Sequence, residues 1–238
     1  MILVLAARSA SANPLDTFQG GTWLHYEVTG LHGIEDARGS AGAQDLVLAG
    51  FRLHGFAGIS DTVSLHIGID AAAGGAMNGG GFAYDVALFP AGIAVRLGDT
   101  NVIALGIGIG ASGATSVLDD AMTMPLELNV ELGGGPVRFL ARGRVSYVGY
   151  SDSRQDGAPS MAFGDELDAT VGVRVGYHYN EWNMSSGNGY FLGASYREMA
   201  GTRFVGLVLG YSIDAATERK DRTQRAYGDD MYGCAHCD

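Results

Sequence analysis

Residues 122–150 write two alternating segments whose polar positions carry opposite charges. Met122, Met124, Leu126, Leu128, Val130 and Leu132 alternate with Thr123, Pro125, Glu127, Asn129 and Glu131. Beyond a Gly-Gly-Gly-Pro stretch at 133–136, Val137, Phe139, Ala141, Val145 and Tyr147 alternate with Arg138, Arg142, Arg144 and Ser146. Side chains on a strand point to opposite faces with period 2. Closing this pair on the glycines therefore predicts Glu131 opposite Arg138 and Glu127 opposite Arg142 on one face, with Arg144 further along it. The other face is wholly apolar. A sheet with one face in water has no reason to ration charge in this way. A barrel with lipid outside and a narrow polar interior does.

The same alternation recurs about ten times, which predicts an all-β, antiparallel up-and-down transmembrane β-barrel of about ten strands, with 8 or 12 as the alternatives. Leu24, Tyr26 and Val28 oppose His25, Glu27 and Thr29; Val47, Ala49, Phe51 and Leu53 oppose Arg52 and His54. Val63, Leu65, Ile67 and Ile69 oppose Ser64, His66, Gly68 and Asp70. Tyr84, Val86 and Leu88 give way near Pro90 to Ile93, Val95 and Leu97 in the opposite phase, the pattern of a bulge. Ile103, Leu105, Ile107 and Ile109 alternate with small residues, and the run from Leu167 to Tyr179 sets Val171, Val173 and Val175 against Asp168, Thr170 and Arg174. Two further segments centre on Leu192 and Leu207. The longest uncharged run, 102–118, approaches the ~20 residues of a membrane helix. Its glycines would each cost a helix roughly 1 kcal/mol, and its large residues fall at period 2.

Connections at 58–61, 98–101 and 133–136 read as tight turns, and those at 31–44, 74–81, 112–121 and 151–165 as longer loops. Short turns alternating with longer external loops are the outer-membrane pattern. The connections at 180–188 and 198–202 reverse it. Aromatic residues near strand ends, among them Trp23, Phe82, Tyr84, Tyr147, Tyr150, Tyr177, Tyr179, Trp182, Tyr190 and Tyr211, are expected at the headgroup level.

Residues 1–12 read as the remnant of a secretory signal peptide, with an apolar stretch from Ile2 and an Ala10-Ser11-Ala12 cleavage pattern. The barrel is expected over 22–213 and a polar periplasmic tail over 214–238. With the leader, the alternating segments and the loop lengths, the chain resembles the small outer-membrane β-barrel proteins of Gram-negative bacteria, of the OmpA-like or OmpX-like size class. The resemblance is architectural and covers residues 23–213. It implies an outer-membrane location, contact with outer-membrane lipid and with the barrel assembly machinery, and a monomer. The polar tail departs from it, because in many such proteins a terminal aromatic closes the last strand.

The formal net charge of −11 and the absence of a basic stripe argue against nucleic acid as a partner. Gly108, Gly110 and Gly113 match G-x-G-x-x-G after a strand, but a dinucleotide site needs a helix to follow and Pro125 interrupts what comes next. Small residues packed inward explain those glycines better, and no cofactor is expected. Ser64 and His66 share a face, with Arg52 and His54 on the neighbouring strand. A serine activated by histidine would make a lipid or acyl hydrolase; a hydrogen-bonded interior network is the plainer account, so the expectation is a non-enzyme. The two cysteines, Cys234 and Cys237, flank Ala235 and His236. In an exported tail they imply a disulfide or an inert segment, since zinc prefers four ligands and no second pair is near. The expected function is a structural, adhesive or surface-interaction barrel with a side-chain-filled charged lumen. A narrow solute channel, a lipid-acting enzyme and a soluble lipocalin-like barrel with its apolar faces inward are the alternatives.

Overall fold

The computed structural model describes residues 21–36, 45–60, 62–77, 81–98, 101–114, 118–133, 137–151, 163–176, 189–199 and 202–216. They form ten strands: β1 (Gly21–Asp36), β2 (Asp45–Gly58), β3 (Val63–Ala76), β4 (Phe82–Leu97), β5 (Asn101–Ala114), β6 (Leu118–Leu132), β7 (Val137–Ser151), β8 (Phe163–Gly176), β9 (Gly189–Met199) and β10 (Thr202–Ala216). Each pairs antiparallel with its sequence neighbours, and β1 pairs with β10 to close the barrel. Closure leaves no sheet edge to be satisfied by water or by another chain.

The two faces separate as the alternation requires. Val47, Phe51, Leu53, Leu65, Ile67, Leu105, Ile107, Ile109, Val171, Val173, Leu192, Leu207 and Leu209 all point outward and are exposed. Arg52, His54, Ser64, His66, Asp70, Asp85, Glu127, Arg138, Arg144, Asp168, Arg174 and Arg197 are buried inside. This is the reverse of a lipocalin-like arrangement. Where side chains are described, the acidic and basic residues that point outward are His32, Asp45, Asp120, Glu198 and Arg203. All five stand at the end of the barrel opposite to Gly21 and Ala216. His32 and Asp45 pair there at 2.6 Å, and Arg203 lies 3.4 Å from Glu198.

The phase slip near Pro90 is a bulge. Register shifts occur between Leu65 and Gly68 in β3 and between Leu88 and Ala91 in β4, so Pro90 and Ala91 both face outward and alternation resumes beyond them. Other boundaries differ from the sequence expectation. The stretches 31–44 and 112–121 shorten, because β1 continues to Asp36, β5 runs to Ala114 and β6 begins at Leu118. Polar residues such as His32 and Ser112 read as loop, yet their backbones are paired, His32 with Asp45 and Val205 and Ser112 with Ala121. Neighbouring strands, not local composition, set these ends. The leader, Tyr177, Tyr179, Trp182 and the tail beyond Ala216 with Cys234 and Cys237 lie outside the described residues.

The β6–β7 hairpin is shifted by two residues from the register expected. Glu131 stands opposite Leu140, Asn129 opposite Arg142 and Glu127 opposite Arg144. The turn centres one residue later than the glycines alone imply, with Gly133 at a positive φ of 109° that a side chain would resist. A shift of two conserves facing, so every charge remains inside while the residue directly opposite it changes.

Candidate functional site in the barrel lumen

The lumen is filled by two groups of side chains. In the half toward Gly21 and Ala216, β1 contributes Trp23, His25 and Glu27, β2 contributes Arg52, His54 and Phe56, and β3 contributes His66 and Asp70. Arg52 donates to Glu27 at 2.7 Å, and His25 lies 2.8 Å from Ser212 Oγ. His54 Nε2 lies 2.9 Å from Asp70 Oδ1, and His54 Nδ1 lies 2.7 Å from His66 Nε2. The rings form a connected stack: Trp23 lies over His25 and edge-on to His54, and His66 is sandwiched between His54 and Phe56. Glu127 completes this group, with Asn129 donating to one of its oxygens. A cavity of about 90 Å³ opens among Trp23, His25, Glu27, Arg52, His54 and Asn129.

The second group crosses the barrel. Arg144 of β7 and Arg197 of β9 both donate to Asp85 of β4 at 2.5 Å. Arg197 also donates to Asp168 at 2.7 Å, and Arg142 reaches the same carboxylate at 2.8 Å. Ser112 donates to Glu166 at 2.6 Å across the lumen. Beyond these charges an apolar cluster of Leu31, Leu46, Leu48, Ala83 and Phe204 fills one side of the far half. A small cavity of about 10 Å³ beside Arg144, Glu166, Asp168 and Arg197 has room for about one water molecule.

The five lumen charges expected from sequence are therefore inside; the expected pair of Glu131 with Arg138 forms, and that of Glu127 with Arg142 does not. Glu131 accepts from Arg138 and from Arg174 of β8, at 2.5 and 2.6 Å. Arg142 turns to Asp168 instead of Glu127, and Arg144 crosses to Asp85. The reason is geometric. Ten tilted strands enclose a space narrow enough for a guanidinium on its long stem to touch the opposite wall. Asp85 and Arg197, central to this network, were not singled out from sequence, although both lie on the polar side of an alternating segment.

Three other expectations are resolved by placement. Trp23 points inward and lines the cavity, where a headgroup-level ring was expected; extending the His25–Thr29 face by one step would have found it. Phe82 and Tyr190 do stand outside, the first stacked on Tyr84 and the second against Tyr211. Gly108 lies on β5, where an added Cβ would come within 2.4 Å of the Leu88 carbonyl oxygen and 2.9 Å of the Phe89 ring. The glycine there permits close approach of β4. No helix follows it among the described residues. Ser64 is wholly buried on the inward face beside His66.

Fold and site together define a closed ten-strand antiparallel barrel with a charged, side-chain-filled lumen and an apolar exterior. No protein-family model and no curated protein matches the chain. Among solved structures it is similar to the translocator domain of autotransporter NalP from Neisseria meningitidis, at 10% identity and a TM-score of 0.38, over 81% of this chain and 88% of that one. The fold rests on the chain's own strand pairing.

Proposed function

We propose that the protein is an outer-membrane β-barrel of structural or surface-interaction type whose lumen is closed by its own ion pairs. The observation that carries this reading is the outer face. Large apolar side chains stand exposed on all ten strands, and among the described side chains the outward-pointing Asp, Glu, His and Arg are confined to one rim. Monomeric soluble proteins rarely expose contiguous apolar patches beyond a few hundred Å². Lipid solvates such a belt and requires the backbone groups to be satisfied internally, which closure achieves.

The interior supports a closed structural barrel over a channel. The bridges from Asp85 and Asp168 to Arg142, Arg144 and Arg197 lie between the larger cavity and the far end. The burial of Ser64 leaves an acyl ester no approach to it, which favours a non-enzymatic role. Expression with its natural leader followed by membrane fractionation should place the protein with outer-membrane markers. The folded band should run differently from the boiled one on a gel. Recovery in the soluble fraction with no heat shift would remove the membrane reading. Planar-bilayer recordings should show no steady conductance, and discrete channels would replace the closed barrel by the solute-channel alternative.

A further inference from the structure

We propose that His54, Asp70 and Glu127 form a binding site for a divalent transition-metal cation inside the barrel. Their ligand atoms all lie within 4.8 Å of one another. All three are buried, at 1%, 6% and 0% exposure, so none is an acidic group facing bulk water. Asp70 Oδ2 and Glu127 Oε2 have no hydrogen-bond donor among the described residues. Two buried carboxylates side by side are costly unless a cation or a proton stands between them.

The distribution of arginines sharpens this. Glu27 has Arg52, Glu131 has Arg138 and Arg174, and Asp85 and Asp168 share Arg142, Arg144 and Arg197. Among the described residues the one arginine near Asp70 is Arg52, its Nε at 3.8 Å and its guanidinium already bonded to Glu27, and Glu127 has the uncharged amide of Asn129. Negative charge thus gathers where the imidazole of His54 is also present.

One nitrogen and two carboxylate oxygens suit Zn²⁺ or Mn²⁺. Around a tetrahedral ion, ligand atoms stand roughly 3.3 Å apart, so the 2.9 Å contact between His54 Nε2 and Asp70 Oδ1 would open slightly while wider spacings, up to 4.8 Å, would close. His66 supplies the supporting contact such a site needs. With His54 donating Nδ1–H to His66 Nε2, the lone pair of His54 Nε2 is left for the cation. His66 lies across from the β4 bulge, close to a glycine that makes room for it: a Cβ on Gly92 would stand 2.8 Å from His66 Nδ1. The cavity of about 90 Å³ is lined by His54, His66 and Asn129 and so lies directly beside the site.

The site rests on the lumen network and is tested apart from the membrane reading. Full-length protein carrying Cys234→Ser and Cys237→Ser, so that the tail thiols contribute nothing, is refolded in detergent micelles and titrated with ZnCl₂ and MnCl₂ by calorimetry. One saturable site per chain is expected, together with a rise in unfolding temperature that EDTA reverses. Glu127→Gln and Asp70→Asn should each weaken binding at least tenfold. Glu131→Gln, whose carboxylate has its own arginines, should bind as the parent does. Absence of saturable binding in the parent overturns the proposal whatever the variants do. Binding that survives both Glu127→Gln and Asp70→Asn overturns it equally, by placing the cation elsewhere.

Discussion

Asp168 accepts from Arg142 at 2.8 Å and from Arg197 at 2.7 and 2.9 Å, with Arg144 at 4.0 Å. Removing its charge leaves three buried guanidiniums to share Asp85. Asp168→Asn should therefore cost about 3–5 kcal/mol. Arg142→Ala should cost less, about 1–3 kcal/mol, because Asp168 keeps Arg197. Denaturant titration of the micelle-refolded variants measures both. Equal losses would show that Asp168 is not the shared counter-charge. The comparison also marks what was legible at this scale. Period 2 was enough to put Glu127, Glu131, Arg138, Arg142 and Arg144 in the lumen. It could not assign partners, because a turn displaced by one residue moves every cross-strand pair by two. Nor does any local pattern reveal that Arg144 and Asp85, on walls that face one another, are within reach.

At the scale of the element, β4 shows how one irregularity is both readable and consequential. With Pro90 and Ala91 both outward, Ile93 and Leu97 join Val86 and Leu88 on the apolar face, while Ala94 stays inside. Without the bulge the second half of the strand would present its apolar residues to the lumen. Deleting Pro90 should restore unbroken alternation and leave both halves facing as they do now. That variant is expected to fold, at a loss of about 1–3 kcal/mol from the altered packing around His66. Inserting one alanine between Gly106 and Ile107 in β5, which has no bulge at that point, should instead abolish folding, since a one-residue slip turns half the strand inside out. Heat-shifted gel mobility distinguishes the two; a folded insertion variant would mean that register is weakly specified. Strand ends were less readable than the bulge. His32 and Ser112 fall in stretches with loop-like composition, and only their partners on adjacent strands show that they are paired.

For the molecule as a whole, the decisive quantity is which solvent meets the outer face. The alternation identified that face and its closure into a barrel, yet apolar faces alone do not say whether they turn outward to lipid or inward to a core. The structure turns them outward, with ion pairs inside and charges at one rim. A substitution at mid-height then reads the solvent directly. Ile107 is 55% exposed near the centre of β5. In a bilayer, Ile107→Arg should destabilise the barrel by about 2–4 kcal/mol, falling to about 0–1 kcal/mol for the same change at the rim, as in Ile34→Arg. Ile34 lies near the end of β1 and is 54% exposed, so the two sites differ in height more than in accessibility. Reversible unfolding from lipid vesicles gives both values under one set of conditions. On a surface facing water the two substitutions would be alike and close to neutral, because arginine there gains hydration at either height. A depth-dependent penalty is the signature of lipid; equal, small effects at Ile107 and Ile34 would show that the apolar belt is covered by something other than a bilayer.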